Sequence, residues 1–76
     1  MEILNMSIAA PALTPREIEV LTLFAKGNTA RQIAHSLGIT KRTADAHREM
    51  IIRKLDASNI ANAVALAVVN GIIQAP

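Results

Sequence analysis

Few residues in this chain could do chemistry, and their spacing limits what that chemistry is. The two histidines, His35 and His47, have no cysteine to join them and no carboxylate at ligand spacing near both, so the donor set of a zinc site is missing. Ser7, Ser36 and Ser58 have no base arranged beside them, and Gly27, Gly38 and Gly71 are too scattered for a phosphate-cradling loop. No catalysis, metal or cofactor is expected. His47 is expected to pack and hydrogen-bond, partly buried, and His35 to lie on the surface.

What remains is the distribution of charge. The chain carries a net +2, too little to mean much alone. Between positions 31 and 54, however, Arg31, Lys41, Arg42, Arg48, Arg53 and Lys54 face only Asp45 and Glu49, whereas elsewhere Arg16 and Lys26 are outnumbered by Glu2, Glu17, Glu19 and Asp56. A basic middle with acidic flanks is the imprint of a polyanion-binding face, although a solvated helix face leaves a similar one.

The elements that must position these residues are marked by their punctuation. Thr14-Pro15-Arg16-Glu17 is a capping box with proline at the first helical position. It opens a helix predicted over Pro15 to Lys26, with Ile18, Leu21, Leu23, Phe24 and Ala25 as its apolar positions and Gly27 as its stop. Thr29-Ala30-Arg31-Gln32 opens a second, shorter helix ending at Leu37-Gly38, with Ile33, Ala34 and Leu37 buried. Thr40 caps a third, predicted over Lys41 to Leu55, with Ala44, His47, Ile51 and Leu55 along one side. After the polar break Asp56-Ala57-Ser58-Asn59, capped at Ser58 or Asn59, a last helix is predicted from Ile60 to Asn70. No stretch alternates with period 2, so the predicted fold class is all-α.

Composition agrees. At 76 residues there is room for one small domain, 51% of the residues are hydrophobic, and Phe24 is the one aromatic. A chain of this size buries only about 60% of its unfolded surface, so an aliphatic core of packed helices must suffice without disulfides. No apolar run approaches the ~20 residues of a membrane span, and Met1–Ala12 lacks the basic start of a signal peptide. A cytoplasmic protein without membrane association is expected. Residues 1–12 read as a linker or N-terminal extension, 13–73 as the domain, and 74–76 as a tail.

The segment from Thr29 to Leu55 has a geometry of its own: a short helix, a three-residue turn around Gly38 and a longer helix, the helix-turn-helix arrangement. Ala34 is small where the helices cross, Ile39 is placed to plug the gap between them, and Ala44 continues their shared core. On the third helix Lys41, Arg42, Asp45, Arg48, Glu49 and Ile52 are read on the side opposite Ala44, His47, Ile51 and Leu55.

The ordered set Leu13-Thr14-Pro15-Arg16-Glu17, Val20-Leu21, Gly27, Ile33-Ala34, Leu37-Gly38-Ile39, Arg42-Thr43, His47 and Arg53-Lys54-Leu55 resembles the LuxR-type (GerE- or FixJ-type) DNA-binding domain, from Leu13 to about Ile73. The resemblance implies a four-helix module of a bacterial transcription regulator whose third helix enters the major groove of double-stranded DNA. Carried over by position, Lys41, Arg42, Asp45, Ala46, Arg48 and Glu49 face the bases. Thr29, Arg31, Thr40 and Thr43 meet the phosphates through hydroxyls, helix N-terminal amides and a guanidinium. Asp45 and Glu49 depart from the Lys or Arg that many relatives carry there; a carboxylate can accept from cytosine but is repelled by phosphate. Glu49 is also placed to pair with Arg53 or Arg48.

The last helix carries no charge. With Ala63, Leu66, Ala67 and Asn70 toward the core, Ala61, Val64, Ala65 and Val68 are expected to be exposed, an apolar stripe that calls for a partner. The resemblance implies a homodimer through this helix, which sets two recognition helices about one DNA turn apart. The other possibility is that Met1–Pro11, with its apolar Ile3, Leu4, Met6 and Ile8, folds back over the stripe. Most relatives also imply a separate N-terminal sensor or receiver domain. A second functional reading is a protein-interaction module of the same fold that heterodimerises with a related regulator.

Overall fold

A computed structural model describes residues 12–75, which form α1 (Pro15–Ala25), α2 (Ala30–Leu37), α3 (Lys41–Lys54) and α4 (Ile60–Val69), with no strand among the described residues. The all-α expectation holds, and each helix ends within one residue of its expected end. The proposed fold-back of Met1–Pro11 lies outside the described residues.

The helices start where the side chains can replace missing backbone partners. Thr14 accepts from the amide of Glu17 at 3.1 Å while its own amide donates to Glu17 Oε1 at 2.8 Å. Thr29 and Gln32 repeat the exchange at 3.1 and 2.8 Å. Thr40 caps α3 by accepting from the Thr43 amide, and Asn59, the second of the two candidates, caps α4 by accepting from Asn62. Each such cap contributes about 1 kcal/mol.

The ends share one device. After each helix a residue with positive φ reverses the chain, at Gly27, Gly38, Asp56 and Gly71, and the next amide reaches back to a carbonyl five residues earlier: Asn28 to Leu23, Ile39 to Ala34, Ala57 to Ile52 and Ile72 to Ala67. This is the Schellman pattern, which normally wants glycine at the reversal. Asp56, at φ 54, is the exception.

Val20 and Leu21 from α1, Ile33 and Ala34 from α2, Ala44 and Ile51 from α3, Ala63 and Ala67 from α4, and Ile73 beyond it form the buried core. Leu21, Ile33, Ile51 and Val20 are its largest fully enclosed side chains, each worth about 1.5–3 kcal/mol of burial. Ala34 and Ala44 let α2 and α3 approach closely, and Ile39 packs against the core beside them.

Two faces differ from expectation. On α4, Val64 and Val68 are half-buried against the core, whereas Leu66 does not pack against it and Asn70 is exposed. The cause is that α4 is seated against both α1 and α3, which widens its buried arc toward Ile60, Val64 and Val68. Its outward side is therefore Ala61, Ala65 and Val69, the last 81% exposed. On α3, Ile52 packs against the core instead of lying on the outer side, because α3 touches all three other helices.

Candidate nucleic-acid interface

The outward face of α3 is built from Arg42, Ala46, Glu49 and Arg53, all exposed and spaced four, three and four apart, opposite the buried Ala44 and Ile51. Lys41 is also exposed, while Asp45 and Arg48 lie on the flank of this face, half-buried. The residues expected to face a ligand are thus brought together on the first two turns and a half of one helix. Arg53 continues the same face and was missed as a site residue, although its spacing from Arg42, Ala46 and Glu49 carries the signal.

Their charges are not independent. Lys41 Nζ donates to Asp45 Oδ2 at 2.7 Å. Arg48 Nε lies 3.9 Å from Asp45 Oδ1, and its Nη2 lies 3.4 Å from Glu49 Oε2. Of the two partners considered for Glu49, Arg48 is the one it meets. The hydrogen bond from Lys41, with the charges of Lys41 and Arg48, outweighs the effect of burial and holds the Asp45 carboxyl below its ordinary range, so it is ionised. Arg31, Arg42 and Arg53 form no ion pair with another described residue.

The residues expected to meet phosphates lie at two helix starts, Thr29 and Arg31 at that of α2 and Thr40 and Thr43 at that of α3. Thr29, Thr40 and Thr43 are exposed, as is Arg31. Thr40 Oγ1 donates to Thr43 Oγ1 at 3.0 Å, which leaves the Thr43 hydroxyl proton free to donate outward. The amides of Lys41 and Arg42, at the positive end of α3, have no acceptor among the described residues. Such an array of amides, hydroxyls and guanidinium groups suits anionic oxygens.

Lys54 does not belong to this face. Its side chain is 17% exposed, and its ammonium donates to Glu17 Oε1 at 2.8 Å and to the Ala12 carbonyl at 3.2 Å. The basic excess read from the middle of the chain is therefore smaller at the surface by this one charge. The hint was its place between Ile51 and Leu55, on the inward side of α3. His35 is exposed and His47 half-buried, with no hydrogen bond from its ring among the described residues, and no cluster of three potential metal ligands forms there.

Three packed helices with a left-handed turn between the second and third, and a fourth helix braced behind them, define a helix-turn-helix domain of the DNA-binding type. A profile of the family described as "Bacterial regulatory proteins, luxR family" matches residues 11–67. The chain belongs to that family, and carries its DNA-binding domain. It is 48% identical over 61 residues to the transcriptional activator protein BjaR1 of Bradyrhizobium diazoefficiens, covering 80% of this chain and 25% of that one. It is 39% identical over 61 residues to the transcriptional regulatory protein MctR of Rhizobium johnstonii, covering 80% and 28%. The chain thus spans about a quarter of the length of these relatives. Among solved structures, the response regulator ChrA of a heme-sensing two-component system superposes with TM-score 0.79 at 35% identity, over 83% of this chain and 31% of that one. The transcription factor GerE superposes with TM-score 0.74 at 29% identity, over 78% and 88%. No helix of the described residues is long and apolar enough to cross a membrane.

Proposed function

We propose that the chain binds operator DNA with α3 in the major groove, as the DNA-reading part of a bacterial transcriptional regulator acting in the cytoplasm. Lys41, Arg42, Asp45, Ala46, Arg48 and Glu49 meet base edges, with Arg53 extending the face toward the backbone. Thr29, Arg31, Thr40 and Thr43 hold phosphates and so set the register of the helix on the duplex. The single observation that carries this reading is the Arg42–Ala46–Glu49–Arg53 face, which projects on the side of α3 away from the core. Residues 13–73 act as the unit, and a sensor or receiver domain is the natural source of control.

Dimerisation through α4 completes the reading. Ala61 and Ala65 are small, Val69 is exposed, and both asparagines turn onto backbone, Asn62 accepting from Ser58 and Asn70 donating to Leu66. The outward side of α4 is left without charge. Ala61, Ala65 and Val69 form the contact, with Val64 and Val68 supporting it from the inner edge.

DNA affinity measured against salt tests the proposal. Counterion release predicts a steep linear fall of log affinity with log salt; Arg31→Ala reduces affinity about equally for every sequence, whereas Arg42→Ala or Arg48→Ala also relaxes the preference at the base pair each meets. Absence of binding at very low salt by a folded sample would sink it. That outcome would favour a module that pairs with a related regulator, a reading supported by the ion pairs that already engage Lys41 and Arg48.

A further inference from the structure

We infer that Asp45 restrains sequence-independent DNA binding: its carboxylate occupies Lys41 and draws on Arg48, so arbitrary duplex is held chiefly by Arg31, Arg42 and Arg53. The inference rests on the groove-binding reading above and adds a device that limits how tightly the wrong DNA is held.

The cations proposed to meet DNA are of two kinds. Arg31, Arg42 and Arg53 are exposed and form no ion pair with another described residue. Lys41 and Arg48 are engaged within α3 itself. Lys41 Nζ donates to Asp45 Oδ2 at 2.7 Å. The two side chains are 53% and 32% exposed, so a phosphate that approaches Lys41 meets the carboxylate at the same time. Arg48 Nε lies 3.9 Å from Asp45 Oδ1, within the reach of charge but too far for a hydrogen bond. That nitrogen is buried without a hydrogen-bond partner among the described residues. Contact with a ligand therefore falls to the outer nitrogens of Arg48, one of which lies 3.4 Å from Glu49 Oε2.

The start of α3 gives the carboxylate a reason to stay. The helix opens on Lys41-Arg42 and has no acidic residue in its first turn, which sets two positive charges against the positive end of the helix dipole. Asp45, one turn further on and ionised, is the first acidic residue along α3 to offset them. A phosphate that takes Lys41 exchanges one anion for another and leaves Asp45 unpaired beside the duplex. If the pair stays closed, it is neutral as a whole and displaces little of the counterion atmosphere of DNA. Release of that atmosphere is the main source of sequence-independent affinity.

Binding of the 76-residue chain to a random-sequence duplex, followed by fluorescence anisotropy across a salt series, tests this. Asp45→Asn, which keeps the shape and removes the charge, should tighten binding about 2- to 30-fold at low salt, the worth of two exposed ion pairs. It should also steepen the slope of log affinity against log salt by about 0.9 for each cation it frees. In a Lys41→Ala background the same substitution should gain less, because part of its effect is the release of Lys41. Asp45 lies on the surface flank of α3, so each variant should remain folded at the assay temperature by circular dichroism. Unchanged or weaker binding by Asp45→Asn would overturn the inference, as would an equal gain with and without Lys41, which would be plain relief of repulsion. Both outcomes leave groove binding intact. Failure of the natural chain and of Asp45→Asn to bind any duplex at low salt would overturn both.

Discussion

The Lys54 ammonium at the last residue of α3 sits 2.8 Å from the Glu17 carboxylate in the first turn of α1. Glu17 is 5% exposed, the one buried charged residue among those described. It already receives the Thr14 amide through the capping box, so one carboxylate closes a helix start and ties two helices together.

Lys54→Met, which keeps the stem and removes the charge, is expected to lower the unfolding free energy by about 1.5–3 kcal/mol, the worth of a hydrogen bond to a charged group. Urea unfolding followed by circular dichroism measures it. Adding Glu17→Gln should recover part of the loss, because no unpaired buried charge remains. A double variant weaker than the sum of both singles would contradict the pairing.

The same pair sets a pH dependence. Burial pushes the Glu17 carboxyl up, but the Lys54 hydrogen bond, the Thr14 amide, the Lys54 charge and the Thr14 hydroxyl together hold it below its ordinary value. A carboxyl lowered in the folded state binds its proton first in the unfolded chain. The stabilisation is therefore complete above the unfolded value of about 4.3 and is lost as pH falls through the lower folded one. Unfolding midpoints of the natural chain should decline across that acid window more steeply than those of Glu17→Gln/Lys54→Met. Parallel curves would refute the assignment.

Asp56 and Gly38 make a contrasting pair of backbone substitutions. Asp56 occupies the left-handed region at φ 54 with its carboxylate at the negative end of α3. Asn tolerates that conformation and removes the charge, so Asp56→Asn should stabilise by about 0.3–1 kcal/mol, a rise of a few degrees in Tm. At Gly38, φ is 69 and an added Cβ would meet nothing within 4 Å. Gly38→Ala should then cost only the conformational penalty of about 1–2 kcal/mol. Thermal melts of the two variants must move in opposite directions.

For the proposed dimer, Val69→Glu is the informative change. Val69 is 81% exposed, so the charge should convert dimers to monomers in sedimentation while leaving the unfolding midpoint near that of the natural chain. Val68→Glu would disturb the core as well, because Val68 packs against it. A Val69→Glu protein with unchanged mass would remove this side of α4 from the interface.

Much of the fold was legible because its signals are local. Thr14, Thr29 and Thr40 announce helix starts within three residues, and Gly27, Gly38 and Gly71 announce ends. The Glu17–Lys54 pair was not legible, since no local pattern links residues from separate helices, and the only trace was a lysine on an inward face. The outward side of α4 was misjudged at Val64 and Val68 because a helix that is apolar all round gives no direction. Packing against two neighbours decided it. In the candidate site, Arg42, Ala46 and Glu49 followed from the period of α3. The half-burial of Arg48 did not, because its buried Nε depends on the ion pairs its long side chain makes.

The Lys54 ammonium also holds the carbonyl of Ala12, where the described chain begins its approach to α1. The path of the polypeptide at residue 12 is thereby tied to the C-terminal end of α3. A pull on the chain at that point would therefore act on the far end of the helix proposed to read DNA.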